Sequence, residues 1–391
     1  MSLEIKKRGN TWTFVVDVGK DPLTGKRKRK SKGGFKTKGE CRIAASKIIN
    51  ELENGTYYES SDIKLNEFLK KYLNTIQPNL SLKTFKTYEY FSNSYITPYL
   101  GEMKIKNIKP LQIQDFYNEI SKNISSTTVR HIHNFLHKAL NIALRWQLIK
   151  DNPSDYIEKP KRAKTEMHVL NEQQINDLLY SLKNSSIYLV VVIASCTGMR
   201  EAEICGLKWE NVDIDNKIIY VKSQIQLNEK NILTDVKLKT SNSYRQIPLP
   251  DLIVSELILQ RIKYKENKDY FKDKYFKGDY VICKSDGTPY NPAYISRNFN
   301  RITREYKHNV KKDDGTIEKL NLIDELNIPP IRFHDLRHTH ATLLLKSKLS
   351  IKVVAERLGD TTSTVMNTYA HVLPDMQKEA AEKLNNIFSI S

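Results

Sequence analysis

The stretch "IRFHDLRHTHATLLL", from Ile331 to Leu345, combines an apolar helical pattern with a pair of basic side chains. Its apolar residues recur at helical spacing: Phe333, Leu336, Ala341 and Leu344. This spacing predicts a helix with one face in the core. His334 and Arg337 are three residues apart, so both project from one side of a helical turn, toward a cleft. We interpret the neighbouring His338 and His340 as packing or helix-surface residues.

A second stretch, "ASCTGMREAEICGLKW", places an arginine where a new helix is expected to begin. An apolar segment ends at Thr197-Gly198, and Arg200 follows directly. Glu203 lies three residues further on, so its carboxylate can hold the guanidinium of Arg200 by hydrogen bonds. An Arg–Glu pair at this spacing is more often a surface salt bridge. The pair therefore indicates a functional site only in combination with other motifs.

Two further stretches supply a tyrosine and a lysine. In "VVAERLGDTTSTVMNTYAHV", a helix from Ile351 to Leu358 is predicted to end at Gly359, a typical C-terminal cap. A second short helix then presents Tyr369. In "VKLKTSNSYRQIPLP", Lys239 lies in a predicted turn just before a strand.

These residues form a set that suits the chemistry of a phosphodiester. The two arginines can bind its non-bridging oxygens and stabilise a pentacoordinate transition state. The phenol of Tyr369, with an ordinary pKa of about 10, needs a proton acceptor and a positive field before it attacks. His334 can exchange protons near neutral pH, and Lys239 can protonate a departing 5′ oxygen. Since no carboxylate cluster accompanies the set, we expect no metal and no other cofactor.

The composition also favours a polyanionic partner. The 391 residues include 63 Lys and Arg against 45 Asp and Glu, a net charge of +18. In a protein with 39% hydrophobic residues, such a surplus usually indicates nucleic acid. A generally lysine-rich proteome is the alternative. No run of about 18 apolar residues predicts a membrane span, and the scattered cysteines (Cys41, Cys196, Cys205 and Cys283) favour a reducing cytoplasm.

The first 60 residues are predicted to form a small sheet backed by one helix. "NTWTFVVDV" alternates apolar and polar residues, as a half-buried strand does. A turn is predicted at Gly33-Gly34, followed by an amphipathic helix from Cys41 to Leu52. A basic run precedes the glycines, and we expect it to contact DNA phosphates: Lys26, Arg27, Lys28, Arg29 and Lys30. A solvated charge run or a lysine-protected edge strand remains open as an alternative.

The rest of the chain is predicted to contain two domains, an all-helical one at 62–158 and a mixed α+β one at 165–391. Prolines and Gly101 separate the helical segments of the first of these, and a basic, proline-containing linker follows it. His131, His133 and His137 share one predicted helix without acidic neighbours. We therefore interpret them as surface or phosphate-facing histidines and not as metal ligands.

The order Arg…Lys…His-x-x-Arg…Gly-x(9)-Tyr resembles the tyrosine recombinase, or phage-type integrase, family. The resemblance is close at "TGMREAEICGLKW", "KTSNSYRQIPLP", "FHDLRHTHATLLL", "ERLGD" and "NTYAHV" and spans about the last 220 residues. It implies a multidomain, mainly helical chain with arm-binding, SAM-like core-binding and catalytic domains. The catalytic residues it implies are Arg200, Lys239, His334, Arg337 and Tyr369, with Glu203 in support.

One position departs from the family pattern. After "RLG" the family usually has His, or sometimes Trp, where this chain has Asp360. An ionised aspartate cannot donate to a phosphate oxygen. We expect Asp360 to orient Arg337 or His334, or to cap the following helix.

The resemblance implies a recombinase that integrates and excises a mobile element through a 3′-phosphotyrosyl intermediate, without metal or ATP. The alternatives are a type IB topoisomerase-like enzyme and a catalytically silent DNA-binding regulator. The implied partners are core and arm attachment sites in double-stranded DNA, a homotetramer on that DNA, a host bending protein and an excision factor. The implied location is the nucleoid of a bacterial cytoplasm. A terminal helix bearing Met376, Ala380, Leu384 and Ile387 is expected to pack on a neighbouring protomer or on its own domain.

Overall fold

The computed structural model of the chain describes residues 3–20, 27–53, 62–160, 167–238, 240–311 and 316–370, together with Leu384, Asn385 and Phe388. The chain divides into two compact units, Met1–Lys164 and Thr165–Ser391. Lys26, Lys239 and most of the predicted terminal helix, including Met376, Ala380 and Ile387, lie outside the described residues. Within those residues, no helix combines the length and the apolar character needed to cross a membrane.

The first unit begins with the predicted sheet and helix. Its antiparallel strands are β1 (Leu3–Arg8), β2 (Thr11–Lys20) and β3 (Arg27–Phe35), with β2 in the middle. Helix α1 (Lys38–Glu53) packs on one face of the sheet. The alternation in β2 buries Phe14 and Val16 completely, and they pack against Cys41 and Ala45 of α1.

The predicted turn at Gly33-Gly34 is wrong, because β3 continues through both glycines to Phe35. The register between β2 and β3 shifts between Trp12 and Phe14, which is a β-bulge. Gly34 has φ +90°, and a Cβ on Gly33 would lie 2.5 Å from Oγ1 of Thr13. The glycines therefore permit an irregular strand that a side chain would obstruct.

The rest of the first unit is helical: α2 (Leu65–Ile76), α3 (Leu82–Tyr90), α4 (Thr97–Leu100), α5 (Pro110–Ile120) and α6 (Ser126–Arg145). A π-helical segment at Phe91–Ile96 joins α3 to α4 without a break. Apolar side chains at helical spacing on α2, α5 and α6 share one core. Side-chain caps begin two of the helices, with Ser81 before α3 and Ser125 before α6.

The prediction for the α6 histidines is wrong for His133. Its ring is 1% exposed, and Nδ1 lies 3.2 Å from the hydroxyl of Tyr117. Burial, followed by electrostatic interaction with His137, lowers the pKa of His133 to about 4. His137 is half-buried and bonds to Ser154, whereas His131 is exposed, as predicted. The apolar stripe of α6 does not show that His133 faces the hydroxyl of Tyr117 on α5, because this contact depends on how the two helices pack.

The second unit mixes nine described helices with seven described strands. The helices are α7 (Glu172–Leu182), α8 (Tyr188–Thr197), α9 (Glu201–Cys205), α10 (Asp251–Phe271), α11 (Pro292–Asn300), α12 (Leu322–Glu325), α13 (Asp335–Lys346), α14 (Ile351–Leu358) and α15 (Thr362–Tyr369). The strands are β4 (Val212–Asp213), β5 (Ile218–Val221), β6 (Ser223–Leu227), β7 (Leu233–Lys237), β8 (Arg245–Pro248), β9 (Lys307–Lys311) and β10 (Ile317–Asn321). β4, β5 and β8 form one antiparallel sheet, and β6–β7 and β9–β10 are hairpins.

The core of the second unit is built around α8, whose residues from Val190 to Ala194 are all buried. α13 packs against α8, so the helix that follows His334 is fixed by the core. The predicted fold class is confirmed: a multidomain, mainly α chain with a small N-terminal β-sheet-plus-helix module, a helical segment and a mixed α+β domain. The stretches that carry Arg200 and Arg337 thus pack on the core around α8, whereas α14 and α15 pack on α13 in a second, smaller hydrophobic cluster.

Candidate active site

The second unit brings four of the predicted site residues into one cluster. Arg200 lies directly before α9, Arg337 lies in the first turn of α13, and Asp360 follows α14. Tyr369 is the last residue of α15. Hydrogen bonds connect Arg200 to Asp360, 160 residues away along the chain, and Arg337 to the same carboxylate. Motifs that are distant in sequence therefore meet.

The start of α9 fixes Arg200 against Glu203. The backbone N–H of Arg200 donates to Oε2 of Glu203 at 2.9 Å, and Nη1 donates to Oε1 at 3.0 Å. Nη2 of Arg245 donates to Oε2 at 2.8 Å. Burial acts to raise the pKa of the Glu203 carboxyl, but the charges and hydrogen bonds of Arg245 and Arg200 outweigh burial and hold this pKa below its ordinary value. Glu203, 1% exposed, is a buried anion and not a surface salt-bridge partner.

Arg337 is buried and held by protein oxygens, with 5% of its surface exposed. Nη1 donates to the carbonyl oxygen of Gly198 at 2.5 Å, and Nη2 donates to that of Leu358 at 2.9 Å. Nη2 gives its second hydrogen to Oδ2 of Asp360. Burial, followed by the charge of Arg200, lowers the pKa of Arg337. These contacts leave the guanidinium one orientation.

Gly198 is required where it stands, because it ends α8 with φ +66°. A Cβ at this position would lie 2.7 Å from ring atom Cδ2 of His340 and 2.7 Å from Cδ2 of Leu358. The left-handed turn also directs the Gly198 carbonyl toward Arg337. The residue pair Thr197-Gly198 thus serves the site as well as the helix end.

The carboxylate of Asp360 bridges the two arginines. Oδ1 accepts a hydrogen bond from Nη2 of Arg200 at 2.6 Å, and Oδ2 accepts one from Nη2 of Arg337. The sequence left open whether Asp360 contacts Arg337, contacts His334 or caps α15. Thr361 provides that cap, since its hydroxyl accepts from the backbone N–H of Thr364 at 3.1 Å. No hydrogen bond joins Asp360 to His334 in the part of the chain that the structure describes.

Tyr369 is buried, with 4% of its surface exposed, and its hydroxyl lies 2.7 Å from Nδ1 of His338. Burial raises the pKa of Tyr369 to about 12; the charge of Arg337 opposes this rise and that of Asp360 adds to it. At neutral pH the phenol is therefore protonated. A nucleophile in this position needs a base at its hydroxyl.

His334 lies at the exposed N-terminus of α13. Desolvation by surrounding protein atoms, followed by the charge of Arg337, lowers the pKa of His334. Its ring meets that of His338 edge-on, with ring centroids 5.0 Å apart. Among the described residues, no hydrogen bond connects His334 to Tyr369. His334 is therefore neutral and accessible near neutral pH.

Lys239 lies outside the described residues, but both of its flanking segments are described. The hairpin strand β7 ends at Lys237, and Leu238 is buried in the core of the unit. A single 3-10 turn at Ser241–Ser243 then leads into β8, which carries Arg245. Among the described residues, no group of three or more His, Cys, Asp or Glu side chains could hold a metal ion.

Three family models match the chain. The model of the phage integrase family matches residues 168–376, more than half of the chain. The chain belongs to the phage integrase family. The model of the N-terminal SAM-like domain of phage integrases matches residues 64–121 of this integrase, and an arm DNA-binding domain model matches residues 4–52.

Relatives match this integrase over nearly its whole length. A protein from Caldanaerobacter subterraneus subsp. tengcongensis described as "Tyrosine recombinase XerC-like" is 27% identical over 406 residues, with 98% of each chain covered. The ICEBs1 integrase of Bacillus subtilis is 24% identical over 393 residues, covering 98% of this chain and all of the relative. Both relatives therefore align with this chain through all three matched segments.

Solved structures show the same fold. The Tn1549 transposon integrase in complex with transposon right end DNA superposes with a TM-score of 0.67, at 22% identity, over 82% of this integrase and 99% of that chain. A lambda integrase tetramer bound to a Holliday junction superposes with a TM-score of 0.53, at 18% identity, over 93% of this integrase and 94% of that chain. At these identities the likeness is one of fold.

His338, interpreted from the sequence as a packing or helix-surface residue, is half-buried, and its Nδ1 lies 2.7 Å from the hydroxyl of Tyr369. A signal was present in the sequence: His338 lies four residues after His334, which places both on one face of α13. The structure therefore places a second histidine beside Tyr369.

Two further arginines support the cluster and are not indicated by the sequence, Arg245 and Arg357. Arg245 donates to Glu203, 42 residues away in sequence, and its Nε donates to the carbonyl oxygen of Arg357 at 2.8 Å. Nε of Arg357 donates to Nε2 of His340 at 3.1 Å, and Nδ1 of His340 donates to the Ser195 carbonyl at 2.8 Å. Burial and the charge of Arg357 lower the pKa of His340 to about 4. His340 thus has the predicted packing role, as a neutral link between helices.

Proposed function

We propose that this member of the phage integrase family is a site-specific tyrosine recombinase that integrates and excises a mobile DNA element, with Tyr369 as its nucleophile. The observation that carries the proposal is that the two arginines bind the same carboxylate, that of Asp360. Arg200 and Arg337 each donate to one oxygen of the Asp360 carboxylate, and the buried Tyr369 is close enough for both Arg337 and Asp360 to shift its pKa. A phosphodiester also offers two non-bridging oxygens to such a pair.

In the reaction that we propose, Arg200 and Arg337 clamp the scissile phosphate. Oη of Tyr369 forms a bond to phosphorus, and the bond from phosphorus to the 5′ oxygen breaks. The products are a 3′-phosphotyrosyl bond and a free 5′ end. The guanidinium groups offset the charge of the pentacoordinate transition state, while Glu203 and Arg245 keep Arg200 in place.

Two further roles complete the proposal. Lys239 protonates the departing 5′ oxygen, and its place after β7 and before β8 supports this role because β8 carries a residue of the site. His334 is an acid/base group on the exposed side of the site, where its lowered pKa keeps it neutral near pH 7. Asp360 orients both arginines in the DNA-free protein. No step in this sequence calls for a metal ion or ATP, since the phosphotyrosyl bond retains the energy needed for rejoining.

We further propose double-stranded DNA as the partner, read at core sites and arm sites. The solved Tn1549 and lambda integrases are bound to DNA, and a lambda integrase tetramer holds a Holliday junction. By analogy we propose a homotetramer on DNA, a host bending protein, an excision factor and a nucleoid location in the bacterial cytoplasm. Arg29 and Lys30 on β3 support an arm-site contact. Lys26 and the side chains of Arg27 and Lys28 lie outside the described part of the chain.

The proposed division of labour follows three domains. Residues 1–60 bind arm sites, residues 62–158 bind core sites, and residues 165–391 carry the chemistry. The separate hydrophobic cores of the sheet module and of the helical segment support the first boundary. The start of the second compact unit at Thr165 supports the second boundary.

A suicide substrate tests the proposed function. Nicked DNA spanning the junction of the element and the chromosome is incubated with wild type, Tyr369→Phe and Tyr180→Phe, with EDTA present. Tyr180 is 82% exposed in the same unit and controls for the loss of any tyrosine hydroxyl. We expect a denaturation-resistant protein–DNA adduct with wild type and Tyr180→Phe, and none with Tyr369→Phe.

Three outcomes would overturn the proposal. An adduct that persists in Tyr369→Phe would assign the nucleophile elsewhere. Specific binding without any adduct would indicate a DNA-binding regulator. Relaxation of supercoils without strand exchange between two sites would indicate a topoisomerase-like enzyme.

A further inference from the structure

We propose that His338, and not His334, accepts the phenolic proton of Tyr369 when the tyrosine attacks the phosphate. The inference rests on the proposed function, in which Tyr369 is the nucleophile. It assigns His338 a catalytic role, since His338 touches the reacting oxygen itself.

The geometry of the two helices carries the inference. His338 lies in the second turn of α13, and Tyr369 ends α15. Nδ1 of His338 lies 2.7 Å from Oη of Tyr369, which is hydrogen-bond distance. Within the described residues, Oη makes no other hydrogen bond. Any proton that leaves Oη along an existing hydrogen bond therefore goes to His338.

His334 is less well placed for this task. Its ring meets His338 edge-on, and the described structure contains no hydrogen bond between His334 and Tyr369. The rings of His338 and Tyr369 are in direct contact, with centroids 5.7 Å apart. Since a general base must reach the proton that it removes, position favours His338 over His334.

The surroundings of His338 keep its imidazole neutral, as a proton acceptor must be. Burial, followed by the charge that His334 carries whenever it is protonated, lowers the pKa of His338 to about 4. The charged and titratable groups that face it are His334, Asp335, Arg337 and Arg332 from α13 and the residues before it, and Tyr369 from α15. Asp335 acts to raise this pKa and the arginines act to lower it. In the tautomer that we infer, Nε2 carries the hydrogen and Nδ1 accepts from the phenol.

The proton and the electron pairs balance in one step. Oη forms its bond to phosphorus as its proton moves to Nδ1, which leaves an imidazolium. The bond from phosphorus to the 5′ oxygen breaks, and this oxygen takes a proton from the acid that we assigned as Lys239. Because the pKa of Tyr369 lies far above that of His338, the transfer accompanies bond formation and does not precede it. In rejoining, the imidazolium returns its proton to the departing phenolate.

The variant His338→Asn distinguishes a catalytic role of His338 from a purely structural one. The Oδ1 of asparagine can occupy the position of Nδ1 and accept the same hydrogen bond, but it cannot take up a proton. His308→Asn on β9 is the control for a histidine outside the site. Each variant is tested on the same nicked DNA, once with a normal scissile phosphate and once with sulfur in place of the 5′ bridging oxygen. A thiolate leaves without a proton, so sulfur bypasses the acid but not the base.

We expect His338→Asn to bind DNA as wild type does and to cleave about 10²- to 10⁴-fold more slowly. Sulfur restores cleavage by Lys239→Ala but not by His338→Asn. The cleavage rate of wild type is nearly constant from pH 6 to pH 9. The rate of His338→Asn rises about tenfold per pH unit, because only phenolate formed in advance can attack. A residue that merely supports the fold would not change the shape of this profile.

Several results would overturn the inference without touching the proposed function. The inference would be overturned if His338→Asn cleaved DNA at the wild-type rate. It would also be overturned if the 5′-sulfur substrate restored cleavage by this variant. If the cleavage rate of His334→Asn rose steeply with pH while that of His338→Asn did not, the general base would be His334. If His338→Asn does not fold, nitrogen NMR of histidine-labelled wild type decides: a protonated Nδ1 on His338 refutes the inference, and an unprotonated one supports it. Failure of wild type to form an adduct would instead refute the proposed function.

Discussion

Replacing Glu203 by glutamine should destabilise the second unit strongly, because this buried carboxylate holds two arginines. Glu203 is 1% exposed and accepts from Nη1 of Arg200 and from Nη2 of Arg245, whose side chain is 5% exposed. Glutamine has nearly the same shape but no charge, and one end of its amide is a donor that faces guanidinium donors. The substitution leaves buried positive charge without its counter-ion.

The magnitude follows from the burial of both partners. Removing one partner of a buried ion pair costs about 3–5 kcal/mol of unfolding free energy. Glu201 provides a matched control on the same helix, α9. Among the described residues its carboxylate accepts only from Ser296, at 2.7 Å from the backbone N–H and 2.8 Å from the hydroxyl, and burial raises its pKa. Since glutamine can accept the same bonds, Glu201→Gln should change stability by no more than about 1 kcal/mol.

The two glutamates should also respond oppositely to pH. The pKa of the Glu203 carboxyl is lowered in the folded protein. Its contribution to the free energy of unfolding is therefore fully present above pH 4.5, the ordinary pKa, and is lost as the pH falls through the folded pKa. The loss of unfolding free energy caused by Glu203→Gln therefore becomes smaller as the pH falls below 4.5. The pKa of Glu201 is raised, so its charged form weakens the fold at neutral pH, and any gain from Glu201→Gln disappears in acid.

Urea unfolding at pH 7 and at pH 3.5 measures both effects. Trp209 belongs to the second unit and contacts Tyr264, so its fluorescence reports on that unit once Trp12 and Trp146 are replaced by phenylalanine. Equal losses for Glu203→Gln and Glu201→Gln at pH 7 would refute the reasoning. A loss in Glu203→Gln that stays constant down to pH 3.5 would also refute it.

Three further predictions concern neighbours of the cluster. Gly198→Ala should cost about 1–3 kcal/mol in the same urea assay, because φ is +66° and a Cβ would lie 2.7 Å from His340; a stability equal to wild type would contradict this. Asp360→Asn should raise the affinity for inorganic phosphate or vanadate at least about tenfold, since unit charges 4 Å apart interact by about 4 kcal/mol at an effective dielectric of 20. Weaker binding in a calorimetric titration would contradict that result. His340 has a folded pKa of about 4 and an unfolded one near 6.5, so the second unit should lose stability as the pH falls from 6.5 to 4; its NMR titration should show a neutral ring above pH 5.

The elements that could be predicted from sequence are those with local signals. Helix α14 begins and ends at the predicted residues, because an apolar stripe meets Gly359, which takes φ +68°. The spacing of Asn171 and Gln174 predicts a capping box at the start of α7, and the two residues are bonded reciprocally there. In β2 the period of two is enough to show which face is buried. Each of these signals lies within a few residues of the feature that it predicts.

The elements that could not be predicted depend on contacts between distant segments. Nothing near Arg245 in the sequence indicates that it bonds to Glu203 on another element. The bridge from Asp360 to Arg200 likewise spans 160 residues. The strand through Gly33-Gly34 depends on a bulge opposite Trp12, which only the pairing with β2 creates. Local patterns thus provide candidates for the catalytic residues, but they do not show which side chains hold these candidates in place.

The most direct test of the central claim is to find the protein atom that becomes attached to DNA. The adduct formed by wild type on nicked junction DNA is digested with protease and nuclease, and the remaining peptide is sequenced by mass spectrometry. The account predicts a single modified peptide, with a nucleotide 3′-phosphate on the phenolic oxygen of Tyr369. Attachment to any other residue, or attachment through a 5′-phosphate, would contradict it.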